Sequence, residues 1–229
     1  FIAERSVNEI VTSGYAQLQG KFGDSGLLGR TGFLTGVRTE KTATEATGYV
    51  RSRTPSNAAL QLADPVRAAQ IDYAGTQRTR TGGYTKSFPS AHLTHDITAN
   101  VKARAAWSTS YGKPSMANLL PNETVSRDAD GNDILTINNP SLLPQTSENW
   151  DFDLDWYFEP VGNLSVGFFQ KTINDYIVSG IISGTIANGP DNGYNGEYQG
   201  LTRLTSANAG TAFVQGWELS YQQQLTFLP

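Results

Sequence analysis

Large apolar and acidic side chains alternate strictly along residues 149–158, and this alternation constrains the fold more than any other feature of the chain. Successive side chains of an extended strand point to opposite faces. One face therefore carries Trp150, Phe152, Leu154, Trp156 and Phe158, and the other carries Asn149, Asp151, Asp153, Asp155 and Tyr157. A helical period of about 3.6 residues would scatter the three aspartates around a cylinder, so the pattern predicts a β-strand.

The same alternation recurs elsewhere and indicates that one face meets hydrocarbon. In residues 101–111 one face carries Lys102 and Arg104, whereas the other carries Val101, Ala103, Ala105, Trp107, Thr109 and Tyr111. A basic side chain facing lipid near the bilayer midplane would cost roughly 2 to 4 kcal/mol, so we assign the basic face to water. Residues 10–22 and 211–224 divide in the same way. The outward tryptophans, which are Trp107, Trp150, Trp156 and Trp217, are then expected to form an interfacial girdle.

Short and long connections alternate between the predicted strands. We predict strands near residues 9–22, 27–41, 83–95, 101–111, 147–158, 164–178 and 211–224. The joints at 23–26, 96–100 and 159–163 are tight, whereas those at 42–82, 112–146 and 179–210 are long and rich in Gly, Asn, Ser, Thr, Pro and Asp. This alternation is typical of an outer-membrane barrel, which has short periplasmic turns and longer extracellular loops.

Composition excludes several other classes of protein. The 229 residues carry a net charge of −4, so there is no basic footprint for nucleic acid, and no DNA or RNA partner is expected. Cysteine is absent, which excludes disulfides, thiol catalysis and cysteine-ligated metals. No G-x-S-x-G elbow, H-E-x-x-H motif or phosphate-binding glycine loop is present, so we expect neither an enzyme nor a cofactor.

Two adjacent segments carry a family resemblance. The sequence NPSLLPQTSENWD at residues 139–151, followed by YFEPVG at 157–162, resembles a segment in the barrel of TonB-dependent outer-membrane receptors. Further similarity lies in FPS at 88–90, GKP at 112–114, DYI at 175–177 and GWELSY at 216–221. The resemblance covers nearly the whole chain from about residue 10 onward.

The resemblance implies a fold, a location and a role. The fold would be an all-β, transmembrane antiparallel β-barrel segment of about seven meander strands from a barrel of about 22 strands. Residues 1–229 would be a partial barrel domain, truncated at both ends and lacking the plug domain. The implied role is TonB-dependent uptake of a ferric siderophore, corrinoid or oligosaccharide across the outer membrane of a Gram-negative bacterium. Expected partners are the TonB complex, the plug domain, outer-membrane lipid and a small-molecule or oligosaccharide substrate.

Two groups of candidate site residues follow from this interpretation. Residues on the wet face are expected to line the lumen and to contact the plug; they are Arg38, Glu40, Lys102, Arg104, Asp151, Asp153, Asp155 and Glu218. The aspartate row is also compatible with a cation site, although solvated lumen lining is the simpler account. A long loop mixes tyrosines with amide and acid groups, and its residues Asp191, Asn192, Tyr194 and Tyr198 are candidates for ligand contact. A merely solvated loop is the alternative.

No metal site is expected. Residues 128–133 resemble a calcium-binding turn, but they lack the downstream bidentate glutamate of an EF-hand loop, which favours a turn held by Asp and Asn side chains. His92 and His95 lie three residues apart on a predicted strand, so they should point to opposite faces and share no metal.

Two other classes of protein remain open from the residues alone. A passive porin would share the strand pattern, and a soluble β-rich carbohydrate-binding surface domain would bury the aromatic face in a sandwich core. For a barrel segment we expect an open, curved sheet with two unpaired edges and with its long loops at one end. Closure into a small barrel should fail, because strands arranged for a wide barrel have the wrong curvature and shear.

Overall fold

The computed structural model describes residues 5–23, 29–50, 54, 56–159 and 161–224. Most of the tight joint predicted at 23–26 lies outside these residues, as does Pro160 in the joint at 159–163. Across the part of the chain that is described, no helix is long and apolar enough to cross a membrane.

Eleven strands and three short helices are described. In chain order they are β1 (Ser6–Lys21), β2 (Thr31–Tyr49), α1 (Ala58–Ala63), α2 (Pro65–Asp72), β3 (Gln77–Asp96), β4 (Val101–Gly112), α3 (Met116–Leu119), β5 (Glu123–Arg127), β6 (Asp133–Ile137), β7 (Gln145–Phe158), β8 (Gly162–Asn174), β9 (Ile177–Thr185), β10 (Thr202–Asn208) and β11 (Thr211–Gln223). Seven of the strands form one sheet in the order β1-β2-β3-β4-β7-β8-β11.

This seven-stranded sheet confirms the predicted meander. Every neighbouring pair in it is antiparallel, and β1 and β11 are its two edges within the described residues. Because the strand direction alternates, the three long connections leave from one end of the sheet and the tight turns from the other. The sheet is an open wall, as expected for a barrel segment.

The register joins the apolar faces of neighbouring strands. Trp107 on β4 is directly opposite Trp150 on β7, and their ring centroids are 6.3 Å apart. Phe168 on β8 lies between Phe152 and Trp217, which belong to the strands on either side of it. The centroids of Phe168 and Trp217 are 5.0 Å apart. The predicted outward residues therefore form one continuous aromatic surface.

Burial on this wall is the inverse of burial in a water-soluble domain. Along β7, Trp150 and Trp156 are 42% and 48% exposed, whereas Asp155 is only 4% exposed. On the edge strand β11, Trp217 and Leu219 are both 75% exposed. A contiguous apolar surface of this kind marks an interaction with lipid or with another protein. Together with the strand pattern, it is typical of a membrane-barrel wall.

Two strands extend much further than the sequence predicts. Residues 42–49 and 77–82 were expected to be loop, but they continue β2 and β3 as paired strand. The hydroxyls of Thr47 and Thr79 are 2.9 Å apart across this extension, and those of Thr39 and Ser87 are also 2.9 Å apart. Apolar and polar side chains no longer alternate in these residues, and threonine, a β-branched residue that favours strands, is frequent instead. The prediction therefore placed the ends of both strands too early.

The long loops are also more ordered than their composition suggests. The connections after β4 and β8 together contribute a second sheet in the order β5-β6-β10-β9, in which β6 and β10 run parallel. Leu135 is fully buried in this loop layer, and Leu142 and Ile186 are 6% exposed. The segment at 139–144, which carries the family resemblance, contributes two buried residues, Leu142 and Pro144. The sequence reading did not anticipate this sheet.

Candidate functional site

An ion pair lies on the polar face of the wall. The guanidinium Nη1 of Arg104 is 2.6 Å from Oδ2 of Asp155. These residues lie on the neighbouring strands β4 and β7, and Arg104 is directly opposite Asp153 in the register. Nearby, Lys102 Nζ is 3.5 Å from Asp96 Oδ1 in a more exposed pair. Charges that would be costly in lipid are therefore grouped and paired on the face opposite the tryptophans.

The acidic side chains extend this face toward β11. Glu218 is opposite Gly167 on β8, and a Cβ at position 167 would come within 2.8 Å of Asp153 Oδ1. The missing side chain leaves room for a polar cavity of about 410 Å³, lined by Asp153, Ser165, Gly167, Glu218, Leu219 and Ser220. Asp151 lies on the same face, opposite Phe169. The structure thus groups the candidate residues Lys102, Arg104, Asp151, Asp153, Asp155 and Glu218, and their assignment to a lumen stays a prediction.

The other two candidate wall residues form a separate cluster nearer to the long loops. Arg38 Nε is 2.7 Å from Glu40 Oε1, and both residues belong to β2. The hydroxyl of Tyr111 donates to Glu40 Oε2 at 2.6 Å, and its ring stacks on Phe88 with the centroids 4.7 Å apart. This cluster therefore connects three neighbouring strands, β2, β3 and β4.

Tyr111 corrects the sequence analysis, which placed it on the outward face with Trp107. Phe88 is opposite Arg38 in the register, so the ring of Tyr111 contacts the polar face. The described pairing of β3 with β4 stops at Ser90 and Ser108, short of Tyr111. Tyr111 is still paired with Thr146 on β7, but on the side of β3, where pairing has ended, its ring lies on the polar face against Phe88.

Two residues beside this cluster were not anticipated. Lys113 Nζ donates to Glu9 Oε1 at 2.6 Å, which connects the residue just after β4 to the edge strand β1. Burial acts to lower the pKa of Lys113, but the hydrogen bond to Glu9 and the surrounding negative charge outweigh it, so the pKa is raised. The only sequence signal was a lysine next to glycine and proline at 112–114, which does not identify a partner about a hundred residues away.

The predicted ligand loop is a compact turn. Oδ1 of Asn192 accepts hydrogen bonds from the backbone N–H groups of Tyr194 at 2.8 Å and Gly196 at 3.0 Å, while its Nδ2 donates to the carbonyl of Glu197 at 2.8 Å. The rings of Tyr194 and Tyr198 meet edge to face, with centroids 5.4 Å apart. Asn192 is therefore occupied in folding the turn, whereas Asp191 is exposed at its start.

A second turn in the loops resembles a cation site in sequence but is held by backbone amides. Oδ1 of Asp128 accepts from the backbone N–H of Asn132 at 2.8 Å and of Asp130 at 3.0 Å. The Asn132 N–H is the main cause that lowers the pKa of the Asp128 carboxyl below its ordinary value. This is a turn organised by an Asp side chain, the alternative that the sequence favoured.

Within the described ranges, no three His, Asp or Glu side chains are placed to hold a metal ion. His95 Nδ1 is 2.8 Å from the hydroxyl of Thr31. His95 is opposite Ala103, on the face of Trp107, whereas His92 is opposite Ala106 on the other face. The two histidines point apart, in agreement with the sequence analysis.

A broad concavity of about 880 Å³ lies on the apolar face rather than the polar one. It is lined mainly by side chains such as Leu93, Phe152, Leu154, Phe168 and Trp217. Its lining offers few of the polar groups that fix the orientation of a small-molecule ligand. We interpret it as a furrow between outward side chains that hydrocarbon chains would fill.

Comparisons with known proteins agree with this architecture. The family model described as "TonB dependent receptor-like, beta-barrel" matches residues 4–228. By sequence, no curated protein matches the chain.

Solved structures similar to this chain include siderophore receptors and a hemophore receptor. A mutant of the ferric enterobactin receptor PfeA from Pseudomonas aeruginosa is 15% identical, with a TM-score of 0.59 over 97% of this chain and 34% of that one. For the siderophore receptor PirA from Acinetobacter baumannii the values are 16%, 0.56, 97% and 35%. For the Serratia marcescens hemophore receptor HasR, in complex with its hemophore HasA and heme, they are 14%, 0.58, 94% and 32%. At these identities the likeness shows the fold, and the chain spans about a third of each receptor.

Proposed function

This chain belongs to the TonB-dependent receptor β-barrel family, and we propose that it forms part of the wall of an outer-membrane receptor that takes up a scarce nutrient. The inverted burial of β7 is the observation that carries the proposal. Trp150 is 42% exposed while Asp155 is 4% exposed, and an exposed aromatic surface backed by covered carboxylates suits lipid on one side and a wet interior on the other. Members of this family are transporters rather than enzymes.

In this proposal residues 1–229 are a partial barrel domain, and the plug and the remaining strands belong to the complete receptor. The polar face would line the lumen and contact the plug, and the TonB complex would supply energy for uptake. Among the described residues, Asp153 and Glu218 form no salt bridge, and their carboxylates beside a cavity of about 410 Å³ support contact with a polar or cationic occupant. The receptor would reside in the outer membrane of a Gram-negative bacterium.

A ferric siderophore is the first substrate class that we propose, ahead of corrinoids and oligosaccharides. Its support is that two of the similar solved structures are a ferric enterobactin receptor and a siderophore receptor, and a third is a hemophore receptor in complex with its hemophore and heme. Ligand contact by the turn at 191–198 is a weaker part of the proposal, because Asn192 already donates and accepts three hydrogen bonds within the turn. Asp191, Tyr194 and Tyr198 are the residues of this turn that we propose for ligand contact.

The test is uptake by cells whose complete receptor gene is present or deleted, each with and without a functional TonB complex. The probes are a panel of siderophores loaded with radioactive iron, then labelled cobalamin and labelled maltodextrins. We expect accumulation of one probe that requires both the receptor and TonB. Accumulation that needs the receptor but not TonB would instead support the passive porin, and an absence of any receptor-dependent accumulation would overturn the three proposed substrate classes.

A further inference from the structure

The upper part of β3 stands outside the bilayer in the proposed receptor. Its outward side is apolar at Leu93 but carries hydroxyl side chains at Ser87 and Thr85. The stretch from Ser87 to Asp96 is as long as the roughly 9 to 11 residues that a tilted strand needs to cross a membrane. Residues 77–86 therefore lie above the hydrocarbon, at the end of the sheet from which the long loops leave.

Two basic side chains lie on the inner side of this upper segment. The pairing of β3 with β2 runs along nearly the whole strand without a shift in register, so alternate residues keep to one face throughout. Arg80 and Lys86 therefore share the polar face with Thr94, which is opposite Arg104. We call Arg80 and Lys86 the basic strip. Among the described residues, neither of them forms an ion pair with a carboxylate.

A carboxylate faces Lys86 across the sheet, but its oxygens have other partners. Glu40 on β2 is directly opposite Lys86. Its Oε1 is 2.7 Å from Arg38 Nε, and its Oε2 accepts a hydrogen bond of 2.6 Å from the hydroxyl of Tyr111. Because both oxygens are engaged, Lys86 keeps an uncompensated charge although an acidic residue is its cross-strand neighbour.

A second carboxylate on this part of the face is also paired. Glu9 on β1 is opposite Thr44, and its Oε1 is 2.6 Å from Lys113 Nζ. Among the described residues, the carboxylates on the inner side of β1 and β2 are those of Glu9 and Glu40, so each already has a basic partner. The charges of the basic strip therefore remain in excess at this end of the wall.

The carboxylates that form no salt bridge lie at a different level of the wall. Asp153 is opposite Arg104, and Glu218 belongs to the same row of paired residues, which also includes Thr94. This row crosses β3 within its membrane-spanning part. An anion that enters from the side of the long loops therefore meets the basic strip before it meets the acidic row.

We propose that the basic strip attracts a polyanionic ferric complex to the mouth of the receptor and thereby selects among siderophores by charge. The inference rests on the proposed function, because only an outer-membrane receptor would present this face to a siderophore. Uncompensated charges of one sign along a cleft raise the local concentration and the association rate of a ligand of opposite sign, and salt weakens this effect. The strip gives a neutral complex no such advantage.

The test measures the association rate of the purified complete receptor in detergent at low ionic strength, followed by quenching of tryptophan fluorescence. The probes are a trianionic ferric tris-catecholate and a neutral ferric tris-hydroxamate. Arg80→Gln with Lys86→Gln should slow association of the trianionic probe by about tenfold or more and leave the rate of the neutral probe unchanged. Added salt should slow the trianionic probe in the unaltered receptor and have a weaker effect in the variant.

Two variants separate the strip from net charge and from folding. Lys41 is exposed on the outward face of β2, opposite Thr85, so Lys41→Gln removes the same charge from the other side of the wall. It should slow the trianionic probe far less than Lys86→Gln does, and Lys86→Arg should keep the original rate. Equal losses in Lys41→Gln and Lys86→Gln would overturn the strip in favour of net charge. Equal slowing of both probes in the double variant would overturn it in favour of a structural role.

Uptake by intact cells separates failure of the strip from failure of the proposed function. Both probes carry radioactive iron, and cells with and without a functional TonB complex are compared. We expect the trianionic probe to accumulate when both the receptor and TonB are present. If the neutral probe accumulates in this way and the trianionic one does not, charge selection is wrong while the receptor function stands. If neither probe shows receptor-dependent accumulation, the siderophore assignment fails and the inference fails with it.

Discussion

Arg104 and Asp155 form an ion pair across neighbouring strands, with a guanidinium nitrogen 2.6 Å from a carboxylate oxygen that is almost fully covered. The arginine side chain is 43% exposed and that of the aspartate only 5%, so the two partners differ in how much solvation they keep. Loss of the arginine leaves a covered carboxylate without its counter-charge, whereas replacement of both side chains by apolar ones leaves no buried charge unpaired. This asymmetry gives the first prediction.

Arg104→Met should lower the free energy of unfolding by about 1 to 3 kcal/mol, a range reduced from that of a fully buried pair because the arginine is partly exposed. Lys102→Met breaks the looser pair with Asp96, and it should cost less than about 1 kcal/mol. Urea unfolding of the receptor in detergent or lipid measures both changes. Equal costs for the two variants would contradict a special role for the covered carboxylate, and Arg104→Met with Asp155→Leu should recover most of the loss.

Substitution by arginine should have opposite effects on folding at two adjacent positions of β7. Leu154→Arg places a charge on the exposed apolar face, and it should cost roughly 2 to 4 kcal/mol if that face meets the bilayer core. Asp153→Arg lies one residue away on the polar face beside Glu218 and should be tolerated. The measurement is the yield of heat-modifiable, folded receptor after refolding into lipid vesicles. A soluble β-domain would instead remain folded without lipid and would show no such dependence on vesicles.

Asn208 should be essential for the order of the loop layer. Its Oδ1 accepts from the N–H of Leu143 at 2.9 Å, and its Nδ2 donates to the carbonyls of Leu143 at 2.9 Å and Asp175 at 2.8 Å. Asn208→Ala removes all three bonds, so the Leu143 amide should exchange with solvent about tenfold faster or more, as expected for a loss of about 1.4 kcal/mol or more. Hydrogen exchange with mass spectrometry reports this change. Asn139→Ala removes one bond to the carbonyl of Ser206 and one from the N–H of Ser141, neither of which involves Leu143, so it should have a smaller effect on the Leu143 amide. The reverse order would argue against Asn208 as the organising residue.

The turn at Asp128 should loosen in acid. Hydrogen bonds from backbone amides, chiefly that of Asn132, lower the pKa of its carboxyl below its ordinary value. A group with a lowered folded pKa stabilises the fold above its unfolded pKa and loses that contribution as the pH falls through the folded value. The amide signal of Asn132 should therefore shift only at a pH below that at which an ordinary aspartate titrates, and NMR of the receptor in nanodiscs follows it. Asp128→Asn keeps an acceptor oxygen but cannot titrate, so its Asn132 signal should stay constant, and a similar shift in this variant would assign the titration to another group.

The sequence predicted the strands of the wall well because a sheet with one polar face and one apolar face requires polar and apolar side chains to alternate along each strand. Trp150 and Asp151 have to face different environments, so the alternation in the sequence predicts which face of β7 each residue takes. Where apolar and polar residues no longer alternate, as around Thr44 and Thr47, that signal disappears, and the prediction ended β2 too early. Tyr111 was misplaced because alternation along β4 predicts an outward ring, whereas the hydrogen bond to Glu40 and stacking on Phe88 hold that ring on the polar face.

The loop layer was beyond sequence reasoning for a different reason. Its four strands are short, and they pair across two separate connections, so no local pattern specifies that β6 lies beside β10. The contact of Lys113 with Glu9 is likewise a meeting of residues far apart in the chain. Such contacts depend on how the wall places the ends of its strands, and the local sequence does not record that placement.

The loop hairpin β9–β10 continues the wall hairpin β8–β11 through one kink. At this kink Asp175 and Gly210 adopt positive φ angles of 55° and 71°, and backbone bonds between Tyr176 and residues 209–210 keep the ribbon paired through the bend. The two hairpins therefore form one continuous two-stranded ribbon that bends at the rim of the wall. A force applied to the outer loops would reach the wall as a torque on β8 and β11, without any additional connecting element.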